Sequence, residues 1–259
     1  MKSLRDYAPA VALVAAVVAA WEALVRVNDT PNWLLPGPSR IVAALWETRG
    51  QLITHAMPTI TESVLGFLIA VVTGIVIGGV VTRFALFRRA VYPLLIALQT
   101  VPPMALAPLL VVWFGYGLLP KVLLVILVVF YPVAVSTVGG LGAVDLKMVN
   151  LLRTMGATNL QIYLKVRIPA AMPSIFSGMK VGATYTVISA IVGEWMGASK
   201  GLGIYLLRAS NSFLTDRVFA GIFTIAVLSV ALFGIVDLSQ RLVMPWYYRQ
   251  QRSREEIVR

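Results

Sequence analysis

Few side chains in this sequence have the chemistry to react, and their placement narrows what the chain can do. It holds one histidine, His55, and no cysteine. Thiol catalysis, disulfides and cysteine-based metal sites are therefore outside its reach. His55 stands just before a long apolar run, a place that suits an interfacial role better than catalysis. No stretch reads Gly-x4-Gly-Lys-Ser/Thr, so no P-loop is present. His–Glu metal spacing is also missing. No catalytic residue, metal site or cofactor is expected in this chain. Inside the apolar runs the ionisable groups are almost limited to Lys180 and Glu194, too few for a proton relay built from several acids. An acid at such depth calls for a partner. For Glu194 the sequence offers Lys200, Arg208 and Arg217 in the segment that follows. The pairing would be either a structural salt bridge at a helix end or a gate on a solute path. Gln99, Thr100, Tyr185 and Ser189 are the other polar groups that could line such a path, the alternative being local helix packing.

The elements that must position these groups are membrane spans. Hydrophobic residues make up 59% of the 259 and charged residues 13%, against roughly 45–50% and about 25% in soluble domains. Six apolar runs reach the length of about 20 residues that a bilayer crossing needs. They are Ala8–Val27, Thr61–Thr82, Ala90–Phe114, Val122–Gly140, Met172–Met196 and Val218–Gln240. The first follows Lys2 and Arg5 as a cleaved leader would, but Trp21, Glu22 and Arg26 at its far end favour a retained span. Glu22 and Arg26 stand four apart and can pair on one helix face.

The net charge of +11 does not point to nucleic acid here, because in a membrane protein it reports loop asymmetry. With the N-terminus inside, Arg83, Arg88, Arg89, Lys147, Arg153, Lys165, Arg167, Arg241 and the basic residues of both ends are cytoplasmic. Arg26, Arg40, Arg49, Lys121, Lys200, Arg208 and Arg217 are outside. The bias predicts a multi-pass protein of the bacterial inner membrane with both termini cytoplasmic, a single membrane domain over residues 1–259.

Between the first two spans, Asn32 to Arg40 is a turn-rich link. Ser39 is placed to cap a helix from Ile41 to about His55. Gly74 and Gly78 in the second span are spaced for close helix approach, within the chain or between copies. In the third, Pro93, Pro102, Pro103 and Pro108 force breaks or bends. Irregular backbone at membrane depth is tolerated where it borders protein or a water-filled cavity, which places Gln99 and Thr100 beside a path.

One polar interruption is too patterned for a simple connector. From Leu146 to Pro169, Leu151, Met155, Leu160 and Leu164 trace amphipathic turns, broken at Gly156 and stopped at Pro169. This is the build of a short docking helix–turn–helix on the cytoplasmic face. Its order resembles the coupling loop of ATP-binding-cassette importer permeases. That loop runs Glu-Ala-Ala, three residues, Gly, nine residues, then Ile-x-Leu-Pro. Here Asn150, Leu151 and Leu152 stand at Glu-Ala-Ala without the acid. Gly156 takes the glycine, and Val166, Ile168 and Pro169 close the pattern. Gly193-Glu194-Trp195 with Gly201-Leu202-Gly203 is similar to a signature of the nitrate, sulfonate, taurine and pyrimidine-precursor branch.

The resemblance, over roughly residues 36–246, implies an all-α protein of about six transmembrane helices with the type I importer permease fold and a cytoplasmic coupling helix. It implies contact with an ATPase through Asn150, Leu151, Leu152, Met155, Gly156, Ala157, Leu160 and Pro169. The implied partners are a cytoplasmic ATPase dimer carrying ATP and magnesium, a second copy of this chain, and an extracytoplasmic substrate-binding protein. Membrane lipid surrounds the assembly. The solute would be a heteroaromatic vitamin precursor, such as a pyrimidine or riboflavin, or a sulfonate, taurine or nitrate-type anion. The alternatives are an ion-coupled transporter acting without an ATPase, which would need a coupling-ion site, and a membrane-embedded enzyme or scaffold.

Overall fold

A computed structural model describes residues 4–248 and forms no strand among them. The chain opens with α1 (Leu4–Val27), α2 (Pro38–Glu47) and α3 (Arg49–Arg83). Next come α4 (Ala85–Gln99), α5 (Pro103–Phe114) and α6 (Leu118–Gly142). Then α7 (Leu146–Thr154) and α8 (Asn159–Ile162) lead through a π turn, Tyr163–Arg167, into α9 (Ile168–Glu194). The series ends with α10 (Leu202–Asn211) and α11 (Thr215–Val243). Five helical stretches are long and apolar enough to cross a membrane, or six if α4 and α5 count as one broken span.

That break lies at Pro102 and Pro103, while Pro93 and Pro108 stay inside α4 and α5 without breaking them. Pro103 excludes the helical conformation from the residue before it, and Pro102 is accordingly extended, at φ −66° and ψ 127°. The two helices diverge by 102°. Pro169, by contrast, does not stop its helix. It sits in the first turn of α9, immediately after the π turn. A proline ring clashes with the carbonyl four residues back. The wider turn re-routes the bonding, with Ile168 N–H reaching the Tyr163 carbonyl.

The chain divides into two compact units, each described by itself. One comprises residues up to Pro58 together with Ser199–Ala226. In it Glu22 takes Arg26 at 2.7 Å, the pairing expected from their spacing. Glu22 also accepts the Ser39 backbone N–H at 3.0 Å and hydroxyl at 2.7 Å. The cap of α2 thus comes from a distant carboxylate rather than from Ser39, which lies inside the first turn behind Gly37 and Pro38. The helix expected from Ile41 to His55 is divided at Thr48, whose buried hydroxyl bonds back to the Ala44 carbonyl at 2.7 Å. Arg40 links α2 to α11 through Asp216 at 3.0 Å.

The second unit comprises Thr59–Ala198 and the described residues from Val227 onward. Its core forms around α6, where Val125, Val129, Val133 and Ala134 are wholly buried. Helix α3 packs against it through its glycines. A Cβ on Gly74 would lie 2.9 Å from the Phe130 carbonyl, and one on Gly78 2.9 Å from the Ala134 carbonyl. The small-residue spacing in α3 therefore serves contact within the chain. Helix α9 approaches the other side as closely, with Gly178 against the Pro132 carbonyl and Ser136. Any side chain at these positions would overpack the core, at about 1–3 kcal/mol.

Candidate functional site

Three features of the second unit combine exposure, shape or charge in ways that packing alone does not require.

The first is the loop from Leu146 to Pro169. Asp145 caps α7, its carboxylate accepting the Lys147 N–H at 2.8 Å. The helix ends in a closed turn: Gly156 N–H bonds the Arg153 carbonyl at 3.0 Å, and Ala157 N–H the Leu152 carbonyl at 2.9 Å. This arrangement needs a left-handed residue just past the helix, and Gly156 has φ 85°. A Cβ there would meet nothing within 4 Å, so it is the backbone angle rather than space that requires glycine. Thr158 and Gln161 then form a reciprocal cap on α8, at 2.9 and 3.3 Å.

Two local caps and a closed turn make the loop a rigid element. Val149 and Ile162 anchor it inward, both buried. Leu151, Met155 and Leu160 point outward at 60%, 74% and 66% exposure. Leu164 is exposed as well. Asn150 and Gly156 are exposed, and Leu152, Ala157 and Pro169 are half-buried. An apolar ridge held this stiffly outside the core marks a surface for a partner.

The second feature is a cavity of about 260 Å³ among the α4–α5 break, α6 and α9. Gln99 and Tyr185 both line it, with Val101, Leu127, Tyr131 and Val181. Thr100 and Ser189 do not. Thr100 donates to the Ala97 carbonyl at 2.7 Å and Ser189 to the Tyr185 carbonyl at 2.8 Å, each satisfying its own helix. The cavity can therefore hold a flat, largely apolar solute against one amide and two phenols.

The third feature is a buried charge cluster. Glu194 ends α9 fully buried and accepts a hydrogen bond from Thr59 at 2.5 Å. Beside it lies the carboxyl of Glu62 from α3, only 2% exposed. Lys121, in the first turn of α6, pairs with Glu62 at 2.6 Å. Gly193 allows this approach, since a Cβ there would lie 3.2 Å from the Lys121 Cα. The cluster thus ties α3, α6 and α9 together, and it takes Glu194 to Thr59 and Glu62 within its own unit.

Glu62 and Lys121 were missed in the sequence. Lys121 was assigned to a loop that is in fact the start of α6. A further pair, Lys180 with Asp237, joins α9 to α11, and Arg241 binds the same carboxylate at 2.9 Å. The apolar helices therefore carry more ionisable groups than Lys180 and Glu194. These groups pair across spans far apart in sequence, a relation that no local spacing signals.

Comparison with known proteins gives these features a context. The family described as binding-protein-dependent transport system inner membrane component matches residues 48–245. A formylaminopyrimidine transport permease protein of Halalkalibacterium halodurans is 36% identical over 231 residues, covering 89% of this chain and 92% of that protein. A putative aliphatic sulfonates transport permease protein of Bacillus subtilis is 33% identical over 238 residues, covering 90% and 86%. Among solved structures, a chain of an amino acid ABC transporter has a TM-score of 0.61 at 19% identity, covering 77% of this chain and 97% of that one. This last likeness is one of fold.

Proposed function

Because this chain belongs to the family of binding-protein-dependent transport system inner membrane components, we propose that it works as one of two identical permease subunits driven by a separate ATPase. The chain is an ABC importer permease for a small solute, a multi-pass protein of the inner membrane. The observation that carries the finer reading is the apolar ridge of Leu151, Met155 and Leu160 on a doubly capped loop. A ridge of this kind fits a groove on a cytoplasmic ATPase, as an amphipathic helix fits a groove elsewhere. Helix α8, the π turn and α9 are one continuous helical path from Asn159 to Glu194, so a push on Leu160 passes into the span. Such a push shifts the balance between inward-facing and outward-facing states. An extracytoplasmic binding protein delivers the solute, both termini are cytoplasmic, and exposed apolar faces of α1 and α11 meet lipid and the second copy.

For the solute, the cavity at Gln99 and Tyr185 favours a neutral heteroaromatic compound of the pyrimidine-precursor kind. No lysine or arginine lines it, and a sulfonate or nitrate group would lack a counter-charge there. The buried cluster of Glu194, Glu62, Lys121 and Thr59 acts as the outer latch, holding the start of α6 and the end of α9 to α3 until the ATPase moves α9.

The experiment is copurification of the tagged chain with its ATPase, followed by uptake assays in proteoliposomes with binding protein and radiolabelled formylaminopyrimidine or taurine. Saturable ATP-dependent uptake of the pyrimidine is expected. Uptake by the chain without any ATPase would overturn the reading in favour of an ion-coupled transporter.

A further inference from the structure

A second and larger pocket, of about 830 Å³, opens where α3 ends against the docking loop. Ile75, Val76 and Phe84 supply its apolar wall, and Arg83, Arg153 and Arg167 its polar rim. Among the described residues no carboxylate lines it. Among the described residues none of these arginines forms an ion pair. Their contacts are weak ones: Arg83 stands 5.4 Å over the Phe84 ring, and Arg153 reaches Asn159 at 3.4 Å. Three guanidiniums around one cavity repel each other unless an anion enters, and a planar guanidinium suits the oxygens of a phosphate.

The arrangement also has a direction. Arg83 is the last residue of α3, and Ile75 lies eight residues back along the span, about 12 Å deeper at 1.5 Å per residue. The charge therefore sits at the end of the span, and the apolar wall runs toward its middle. The Tyr163 hydroxyl, 3.5 Å from where a Gly79 Cβ would stand, closes the floor.

A cationic rim above an apolar wall is the complement of a glycerophospholipid. We propose that this pocket binds an anionic phospholipid of the surrounding leaflet, its phosphate among Arg83, Arg153 and Arg167 and its acyl chains along Ile75, Val76 and Phe84. The inference rests on α3 being a membrane span; Leu160, which the proposed function gives to the ATPase, also lines this pocket. Arg153 belongs to α7 and Arg167 to the π turn, so one bound headgroup ties both limbs of the loop to α3. The lipid then braces the element that transmits force into α9.

Native mass spectrometry of the full-length chain in detergent tests this with dioleoylphosphatidylglycerol and dioleoylphosphatidylcholine as probes. The wild-type chain should retain phosphatidylglycerol preferentially. Each guanidinium contributes roughly fivefold to that preference, so the triple variant Arg83→Gln/Arg153→Gln/Arg167→Gln should lose about a hundredfold. The matching triple lysine variant should keep most of it. If the triple glutamine variant does not fold, Arg83→Gln and Arg153→Gln singly, each losing about fivefold, decide the same question.

Equal retention of the two lipids by the wild-type chain, or an unchanged preference in the glutamine variants, would overturn the assignment. Displacement of the lipid by equimolar glycerol 1-phosphate would make this a site for soluble phosphates instead. Expulsion of the lipid on adding the ATPase would make it a protein interface. The main measurement contains no ATPase, so its failure is distinct from failure of the docking reading.

Discussion

The docking loop and the latch cluster are opposite solutions to fixing part of a membrane helix. The loop holds its shape by bonds between residues at most five apart: Asp145 with Lys147, Ala157 with Leu152, Thr158 with Gln161. Leu151, Met155 and Leu160 face outward from it. The cluster is held by bonds between residues far apart in sequence, Lys121 with Glu62 and Thr59 with Glu194, and its charged groups face inward. Each places the costly groups on the wrong side for a resting protein. The difference separates an exposed apolar surface that a partner could cover from a buried set of charges that pair within the chain.

That contrast breaks most visibly at Lys121. Lys121→Met leaves Glu62 without the ammonium that pairs with it, and removing one member of a buried pair costs about 3–5 kcal/mol. Thermal unfolding of the detergent-solubilised chain should show the loss, and the assembled complex should show raised basal ATPase activity without binding protein. The double variant Glu62→Gln/Lys121→Met should recover most of the stability. Wild-type stability in Lys121→Met would mean that the cluster is no latch.

On the loop the pattern should reverse, with assembly lost and stability kept. Met155→Glu puts a charge into a contact meant to be apolar, and burying it unpaired costs several kcal/mol. ATPase copurification should fall at least tenfold while the melting temperature of the free chain stays put. Gly156→Glu adds a backbone penalty of about 1–2 kcal/mol for a left-handed non-glycine residue. It should therefore lower both coupling and local stability. Normal coupling in both variants would detach the ridge from the ATPase.

Glu194 gives a finer test, and one whose sign changes with its surroundings. A pairing with Lys200, Arg208 or Arg217, expected from the sequence, makes Glu194→Gln a gate-opening change that raises basal ATPase activity. The neighbouring Glu62 carboxyl acts the other way, since the same substitution removes a like charge beside it. A clear rise would put the outer-segment cation in control, and unchanged activity the carboxyl pair. The smallest effects concern the cavity. Cysteines at Gln99 and Tyr185 should react with water-soluble thiol reagents in a nucleotide-dependent way. Ser189→Cys should stay inert, and Thr100→Val should leave transport within twofold. Equal reactivity at Ser189 would put its side chain on the path.

What the sequence could reveal follows from the same contrast. Spans, the break at Pro102 and Pro103, the turn at Gly156 and the outward ridge are all written in spacings of a few residues, and each was legible. Glu62, Lys121 and Asp237 were not, because their meaning comes from partners on other helices. Gln99 and Tyr185 were found as polar groups in apolar runs, but that signal could not separate them from Thr100 and Ser189, whose hydroxyls turn back onto their own helices. Pro169 misled for a related reason. Proline ends a helix only when the preceding turn is α-helical, and the residues before it take a wider one.

That wider turn sets the phase between two rotating parts. A π turn carries one residue more than the α-helix it interrupts, and one residue is about 100° of rotation at 3.6 residues per turn. The ridge on Leu160 and the cavity wall on Tyr185 are therefore indexed like two cams on one shaft, with Tyr163–Arg167 as the key between them. Deleting one residue from that segment would re-key the shaft. The ridge would swing about 100° around the axis of α9 while the cavity stayed where it is, so an intact ATPase and an intact path would turn out of step.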